Sequence, residues 1–311
     1  MIYLDRIGDR MKSRIELNQE KQNEIIEEQK KMHQQKIVKR IVKGFVFCFF
    51  LVFFVCLYIT KVGTVSLIVH EEVIQSNSLP DAFHGFKVIQ FSDLHYENQA
   101  LLDDVVKQIN LRKPDMVLFT GDVVKNNKLS DKQKEQLTST LNKIEAPIGK
   151  YAVLGETDQE KSISILQAAG FTILNNQYDL IYQEQNDPIL LMGFNTNDKT
   201  HLVDTFSYYQ QEGANQAIYS ILMMHEPDSF DAIPSEHPVS LALAGHYHGG
   251  EVNLFGIGFA QKEGAKKYQK SFYSLGNTKF YISQGIGMSQ YSYRFGARPS
   301  ITFFRFMKTS S

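Results

Sequence analysis

The pattern of apolar and polar positions divides this 311-residue chain into three parts. Residues 10–43 are rich in Glu, Lys, Gln and Arg and contain no Gly or Pro, which favours a helix. Residues 44–69 form the most apolar stretch of the chain. From residue 86 onward, short apolar runs alternate first with amphipathic stretches and later with turn-like segments. This last pattern is typical of an α/β domain.

The third part carries clear signals for individual elements. Its apolar spacing predicts three helices, at Leu101–Leu111, Ser130–Ile144 with Ser130 as N-cap, and Asp158–Ala169 ended by Gly170. Strands are predicted at Lys87–Phe91, Met116–Phe119, Tyr151–Leu154, Ile189–Phe194, Ile218–Met224, Val239–Ala244, Glu251–Leu254, Phe280–Gln284 and Ile301–Phe306. Because helices dominate the early connections and hairpins the late ones, we expect one domain with two packed mixed sheets and helices on their outer faces.

The apolar stretch is predicted to be a transmembrane helix over residues 44–69. Residues 44–60 carry no charge, but 17 residues at about 1.5 Å each reach only the short end of a bilayer span. A snorkelling Lys61 and the apolar continuation to Val69 supply the missing length. A signal peptide is disfavoured because the run starts more than forty residues into the chain and no small-residue cleavage pattern follows. A buried core helix would rarely contain this much Phe.

The charges that flank the apolar stretch predict its orientation. Lys36, Lys39, Arg40 and Lys43 precede it, whereas Glu71 and Glu72 follow it. By the positive-inside rule, we expect residues 1–43 to lie in the cytoplasm. The apolar stretch would then be a single-pass anchor in the cell membrane, and the rest of the chain would lie outside the cytoplasm. Residues 1–43 are expected to be a solvated charged helix, with a weak coiled coil as the alternative. Residues 70–84 are expected to be a linker and residues 85–311 the catalytic domain.

Composition narrows the function classes. The net charge of −1 gives no case for a nucleic-acid partner. Cys48 and Cys56 are the only cysteines and both lie in the apolar stretch, so the rest of the sequence offers no disulfide and no zinc-binding thiolate. Any metal site in that part must therefore use other side chains.

Four short motifs follow strand-like runs and supply such side chains. They are Asp93-Leu94-His95, Gly121-Asp122, His225 and Gly245-His246-Tyr247-His248. The ends of parallel strands meet at one edge of a sheet, where α/β enzymes place their chemistry. Singly, Asp-x-His is more often a surface or capping pair, and a lone His225 is more often a core residue. Together the motifs predict a site for two divalent metals.

The kind of donor in these motifs indicates which metals fit. A mixture of carboxylate oxygen and imidazole nitrogen suits manganese, iron or zinc better than magnesium or calcium. One carboxylate can bridge two cations, and two metals about 3.5–4 Å apart can clamp a phosphate and activate water.

The motifs and their order resemble the calcineurin-like metallophosphoesterase family, whose pattern is DxH, GD, GNH(D/E), H and GHxH. The likeness covers roughly residues 85–306 and implies a four-layer α-β-β-α sandwich of two mixed sheets. Further stretches resemble the membrane-associated bacterial branch, which includes cell-envelope phosphoesterases and UDP-diacylglucosamine pyrophosphatases. These stretches are His225-Glu226-Pro227-Asp228, Gly249-Gly250-Glu251, Ser283-Gln284-Gly285-Ile286-Gly287 and Arg298-Pro299.

The resemblance implies a role for each motif residue. Asp93, His95 and His248 would bind the first metal, His225 and His246 the second, and Asp122 would bridge the two, with manganese as the favoured metal. Glu156 stands at the family's asparagine ligand, and Thr157 stands at its catalytic histidine. Asp158 matches the acidic residue that follows this histidine, so Asp122 and Asp158 are the catalytic candidates.

The two departures have different consequences. Glu156 can still ligate, and its charge should tighten metal binding while reducing the Lewis acidity that the substrate experiences. Thr157 cannot replace histidine as a proton donor, and a positioned general acid is typically worth about 10²–10⁴ in rate. We therefore expect hydrolysis of bonds whose leaving group departs without a proton, such as a pyrophosphate or activated phosphodiester.

The sequence leaves two functions open. The preferred one is a membrane-anchored phosphoesterase that acts on a phosphorylated small molecule or lipid, such as an envelope lipid or nucleotide-linked precursor. The alternative is a catalytically weak or inactive module that retains the metals. A group of tyrosines and arginines late in the chain could form a phosphate-binding, lipid-facing mouth: Tyr247, Tyr281, Tyr291, Tyr293, Arg294 and Arg298. Ordinary packing is the preferred interpretation of these residues, most of all for Arg298.

Overall fold

The computed structural model describes residues 2–125, 129–183, 187–195, 219–233, 239–254, 257–258, 262–289 and 293–309, with side chains from residue 14. The chain forms two compact units, Met1–Leu57 and Tyr58–Ser311. All sheets and all motif residues belong to the second unit.

The first unit is a single 56-residue helix, α1 (Ile2–Leu57). Its polar half and its apolar half are continuous, and side chains such as Phe45 and Phe47 are 74% and 69% exposed. By length and composition, the helical stretch Arg14–Val62 could cross a membrane.

The second unit begins with a π-helical turn, Tyr58–Val62, and its first strand appears earlier than expected. Strand β1 (Ile68–Ser76) lies largely within residues 70–84, which we had expected to be a linker, and a 3₁₀ turn (Asp81–Phe83) follows. The expected helix to residue 69 is likewise replaced by the turn and the start of β1. Only Ile74 of this strand is buried, which is why its apolar pattern is weak.

Three α-helices follow in the first half of this unit: α2 (Gln99–Leu111), α3 (Asp131–Asn142) and α4 (Glu160–Ala168). They confirm the three predicted helices. Ser130 caps α3 in a capping box, since its hydroxyl accepts from Gln133 N and the Gln133 side chain accepts from Ser130 N.

The remaining strands are β2 (Lys87–Phe91), β3 (Met116–Phe119), β4 (Gly149–Ala152), β5 (Phe171–Ile173), β6 (Gln177–Ile181), β7 (Ile189–Gly193), β8 (Tyr219–Met223), β9 (Leu241–Ala244), β10 (Asn253–Leu254), β11 (Ile257–Gly258), β12 (Phe272–Leu275), β13 (Thr278–Ile282) and β14 (Ser300–Lys308). One sheet has the order β1-β14-β2-β3-β4-β5, and the other has the order β12-β13-β9-β8-β7-β6. Strands β10 and β11 form a separate antiparallel pair.

Both large sheets are mixed. In the first, β2 to β5 are parallel and β14 is antiparallel to β2. In the second, β7, β8, β9 and β13 are parallel, with β6 and β12 antiparallel at the two edges. The chain therefore has the predicted α/β architecture of two mixed sheets with helices.

Successive side chains of a strand point to opposite faces of its sheet, so each sheet contributes to one core on each of its two faces. Val88 and Leu118 of the first sheet pack with Ile221 and Leu243 of the second between the two sheets. The opposite face of the first sheet packs against α2, α3 and α4. Among the described residues, the outer face of the second sheet is covered by a 3₁₀ turn (Pro227–Ala232) and residues 265–268 rather than by an α-helix.

A buried amide joins the two sheets close to the edge where the motifs lie. Gln90 Nε2 donates to Thr120 Oγ1 at 3.1 Å in its own sheet and to Ala244 O at 2.9 Å in the other. Because Thr120 and Ala244 each directly precede motif residues, this link fixes the two sets of strand ends against one another.

Candidate metal centre

The seven predicted ligands converge on one place although they come from five separate strand ends. Asp93 and His95 follow β2, Asp122 follows β3 and Glu156 follows β4 in the first sheet. His225 follows β8, and the pair His246 and His248 follows β9 in the second sheet. His246 N donates to both oxygens of Asp93, at 3.1 and 3.0 Å, so the two sheets meet directly at the centre.

One group of ligand atoms consists of Asp93, His95 and His248. His248 Nε2 lies 3.0 Å from Asp93 Oδ1 and 3.2 Å from His95 Nε2. All three side chains are buried. This is the set that the resemblance assigns to the first metal.

The second group consists of Glu156, His225 and His246. Glu156 Oε2 lies 2.7 Å from His225 Nε2 and 3.1 Å from His246 Nδ1. The histidines are buried, whereas the Glu156 side chain is 40% exposed. This half of the centre is therefore the open one.

Asp122 lies between the two groups. Its Oδ2 is 3.4 Å from His95 Nε2 and 3.5 Å from His225 Nε2, and it has no hydrogen-bond partner among the described residues although it is buried. Its Oδ1 accepts from Thr157 N at 3.0 Å and lies 2.8 Å from Thr157 Oγ1. A buried carboxylate oxygen without a partner, flanked by imidazoles on both sides, fits a bridging ligand for divalent cations.

Outer hydrogen bonds set the orientation of two imidazoles in the second group. His225 Nδ1 lies 2.7 Å from Thr120 O, and His246 Nε2 lies 2.6 Å from Glu263 O. A carbonyl oxygen only accepts, so the proton of each neutral ring lies on that nitrogen and the lone pair of the other faces the centre. Such outer partners are what orient histidine ligands in metal proteins.

His248 has different outer partners. Arg294 Nη2 lies 3.1 Å from His248 Nδ1, and Glu251 Oε1 lies 3.6 Å from the same nitrogen. Arg294 is completely buried and also donates to the carbonyl oxygens of Gly287, Gln284 and Ala297. Burial lowers the pKa of Arg294 to about 10, which leaves it charged at neutral pH.

These bonds make Arg294 a support for the site rather than a phosphate contact. Its backbone N donates to Ile59 O in the π-helical turn, and Arg298 Nε donates to Ser66 O. Tyr247 and Tyr281 are buried in the cores, and Tyr281 accepts a hydrogen bond from Thr302. Tyr291 lies outside the described residues. The packing interpretation of these late residues fits the structure better than a lipid-facing mouth.

The backbone around the centre is strained. Five of the seven ligand residues have left-handed φ values, between 34° at His95 and 69° at His246: Asp93, His95, Asp122, His246 and His248. Glycines allow the close approaches: a Cβ at Gly245 would lie 2.0 Å from Ser92 Oγ, and one at Gly155 would lie 2.2 Å from Asp122 Oδ1. Strain of this kind is typical of functional sites.

Asp158 lies behind the centre and contacts the backbone. Its Oδ2 accepts from Asp122 N at 2.7 Å and from Gly155 N at 3.0 Å, and its Oδ1 accepts from Val123 N at 2.9 Å. Burial and the charge of Asp122 raise its pKa. The sequence analysis names Asp158 as a catalytic candidate. Its hydrogen bonds to the backbone around Asp122 instead indicate that it positions Asp122.

The electrostatics of the centre suit a cation. Burial alone would raise the pKa values of Asp93 and Asp122, but the nearby histidines outweigh it and lower both. The pKa of Glu156 is also lowered, against burial, by His225 and His246. Three ionised carboxylates in a largely buried space need positive charge, which bound metals would supply.

Comparison with known proteins identifies the family. The sequence profile of the calcineurin-like phosphoesterases matches residues 86–250, which is more than half of the chain. The chain belongs to the calcineurin-like phosphoesterase family.

Its relatives in this family are bacterial. It is 32% identical over 250 residues to YkuE of Bacillus subtilis, named an uncharacterised metallophosphoesterase, covering 77% of this chain and 85% of YkuE. It is 29% identical over 238 residues to the phosphodiesterase YaeI of Escherichia coli, and the match covers 70% of this chain and 80% of YaeI. It is 23% identical over 228 residues to the UDP-2,3-diacylglucosamine pyrophosphatase LpxG of Chlamydia muridarum, and the match covers 57% of this chain and 68% of LpxG.

Within the calcineurin-like centre, Thr157 has a place that the sequence did not suggest. Its hydroxyl lies 2.8 Å from both Asp122 Oδ1 and Val124 O, so its single proton is used inside the protein. It helps to orient the carboxylate of Asp122 and leaves Oδ2 directed at the histidines.

A lysine that the sequence analysis did not single out also belongs to the centre. Lys262 Nζ donates to His246 O at 3.0 Å, and the next residue, Glu263, supplies the carbonyl that holds His246 Nε2. Lys262 stands in a polar stretch far from every motif, so no local pattern marks it. Only the fold brings it to the site.

Proposed function

We propose that this protein is a membrane-anchored, metal-dependent phosphoesterase that hydrolyses a phosphodiester or pyrophosphate bond. The observation that carries the proposal is the bare Oδ2 of Asp122 between two groups of buried histidines and carboxylates. This arrangement supports two divalent ions held close together, with Asp122 shared between them.

The ligand side chains divide into one group for each proposed ion. Asp93, His95 and His248 would hold one, and Glu156, His225 and His246 the other. Four imidazoles together with three carboxylates, counting the shared Asp122, suit manganese, iron or zinc, with manganese favoured. When bound, such ions polarise a phosphoryl oxygen and lower the pKa of water, which supplies the nucleophile. The chain itself orients the ligands and keeps the carboxylates ionised.

The kind of leaving group that the site can expel depends on whether a proton donor lies beside the metal ligands. Thr157 keeps its proton in bonds to Asp122 and Val124, so it does not protonate a departing oxygen. Bonds that expel an already stable anion, such as a pyrophosphate or an aryl phosphodiester, depend least on a general acid. Simple alkyl phosphomonoesters would depend on it most.

The membrane part of the proposal rests on α1. The helical stretch Arg14–Val62 is long and apolar enough to cross a membrane, the apolar side chains of α1 are exposed, and basic residues precede them. The positive-inside rule then places the metal centre outside the cytoplasm. LpxG, by its name, acts on a lipid pyrophosphate. A membrane-tethered site facing outward suits a similar class of substrate, an envelope lipid or a nucleotide-linked precursor. A topology reporter fused to residue 311 tests this orientation. Reporter activity found only in the cytoplasm would overturn it.

The test of the enzyme function combines metal analysis with hydrolysis. The full chain in detergent is loaded with Mn²⁺, its metal content is measured, and hydrolysis of bis(4-nitrophenyl) phosphate is followed. We expect two ions per chain and turnover that is lost on chelation and restored by Mn²⁺. Two ions without turnover on any phosphoester would instead support the metal-binding module, which the replacement of histidine by Thr157 favours.

A further inference from the structure

We propose that Lys262 is a substrate-binding residue whose ammonium group holds the second phosphate of a pyrophosphate-linked substrate at the edge of the metal centre. The inference rests on the proposed function and narrows it to one class of substrate. It also gives the site a fixed positive charge beside a centre that has lost the family's histidine at position 157.

The position of Lys262 is fixed from two sides. Its Nζ donates to His246 O, and the carbonyl of Glu263 accepts from His246 Nε2. At Gly264 a Cβ would lie 2.7 Å from the Glu226 carboxyl carbon, so the segment packs closely against the turn that follows β8. The ammonium is therefore held against a ligand residue of the open half of the centre.

In the described part of the chain no carboxylate lies within ion-pair distance of Lys262 Nζ, and the Glu251 carboxylate interacts with its charge only at longer range. An ammonium group has three N–H donors, and His246 O takes one of them. Its neighbours differ: Lys266 Nζ lies 2.6 Å from Glu263 Oε2, and Lys267 Nζ lies 2.6 Å from Asp231 Oδ1. A half-buried cation with two donors to spare, beside a phosphate-hydrolysing centre, fits an anionic ligand.

Charge balance selects the ligand. The two divalent ions and the carboxylates of Asp93, Asp122 and Glu156 would account for the phosphate group that is hydrolysed. The charges of the buried Arg294 and of Lys262 both act on Glu251, which can offset only one of them. One cation therefore remains beside the centre, and a neighbouring second phosphate is the group that would match it. A fixed cation at that point also stabilises the charge that gathers on a departing phosphate.

The test separates binding from turnover. Methylenediphosphonate, a pyrophosphate analogue that cannot be hydrolysed, and inorganic phosphate are titrated calorimetrically into the Mn²⁺-loaded full chain. Lys262→Gln removes the charge but keeps a donor for His246 O. We expect it to weaken methylenediphosphonate about tenfold to a hundredfold and phosphate much less, with metal content unchanged. Lys262→Arg should restore most of the affinity.

Lys266→Gln is the matched control, since it removes a lysine from the same segment that already has a carboxylate partner. It should bind both ligands as the parent does. Equal losses for phosphate and methylenediphosphonate in Lys262→Gln, or no loss at all, would overturn the proposal. If the parent binds the analogue through Lys262 but hydrolyses nothing, the enzyme function fails while the binding role stands.

Discussion

In one half of the metal centre Asp93, His95 and His248 are all buried, whereas in the other half the Glu156 carboxylate is 40% exposed. The buried half follows the family pattern at every ligand. The open half contains both departures from that pattern, Glu156 and Thr157. It also contains Lys262, which has no ion-pair partner among the described residues. Asp122 is shared by the two halves.

This difference separates metal retention from substrate choice. A buried ligand set with strained backbone tolerates few substitutions, because each side chain is held by packing and by outer hydrogen bonds. The open half contacts solvent, so a change of side chain there is expected to alter leaving-group preference without emptying the site. On the proposed function, the chemistry can then vary at one side of the centre while the other side retains its ligands.

The largest effect should come from Asp122→Ala, because this residue serves both halves. Removing the shared carboxylate takes away several kcal/mol of metal-dependent stabilisation, so turnover should fall about 10⁴-fold. Metal content should drop in the same preparation. Hydrolysis of an aryl phosphodiester and metal analysis check both. Two retained ions with normal turnover would show that the halves do not depend on a common ligand.

Thr157→His should change leaving-group preference at the open half, and it also removes the hydroxyl that contacts Asp122 Oδ1. Restoring a proton donor should raise hydrolysis of alkyl monoesters by about 10²–10⁴, while aryl diesters, whose leaving groups need no proton, should change little. The ratio of kcat/KM for the two substrate types is the measurement, and Thr157→Val serves as the control that removes the hydroxyl without adding an acid. Equal gains on both substrates would contradict the role assigned to position 157.

Sequence patterns identified the ligands of both halves. The strands before Asp93, Asp122, His225 and His246 are largely apolar runs, so their ends could be located and their motifs read in order. Strand β1 was missed because it is an edge strand with charged Glu71 and Glu72 and one buried residue, Ile74. An exposed edge has no apolar alternation to detect.

The residues that support the ligands could not be found from the sequence for a different reason. Arg294 and Lys262 reach the centre through contacts with residues 46 and 16 positions away, respectively. No local spacing encodes such contacts. Asp158 was found through its motif, but its bonds to the backbone of the Gly121 turn appear only when the strands lie side by side.

Arg294→Lys should loosen the buried half. The lysine keeps a positive charge but cannot reproduce the bonds that the guanidinium donates to the carbonyl oxygens of Gly287, Gln284 and Ala297. Loss of this support beside His248 should cost about 10–100-fold in metal affinity, as the loss of an outer partner does. Competition with a metal-binding dye should show one weakened ion and one unchanged ion. Arg298→Lys, which alters an arginine bonded to Ser66, is the control, and equal weakening of both ions would contradict the assignment.

The smallest effect is a difference in pH dependence between the halves. In the metal-free protein, burial would lower the pKa of His225, but Asp122 and Glu156 outweigh it and raise the pKa well above the usual value. A metal at the open half must displace that proton, so its affinity should rise with pH by up to about tenfold per unit below this pKa. The pKa values of His95 and His248 are lowered, mainly by burial, that of His248 to about 3, so protons compete less with a metal in the buried half. Stepwise Mn²⁺ titrations at pH 6, 7 and 8 should therefore show one pH-dependent site and one nearly constant site, and parallel slopes would remove the electrostatic distinction between the two halves.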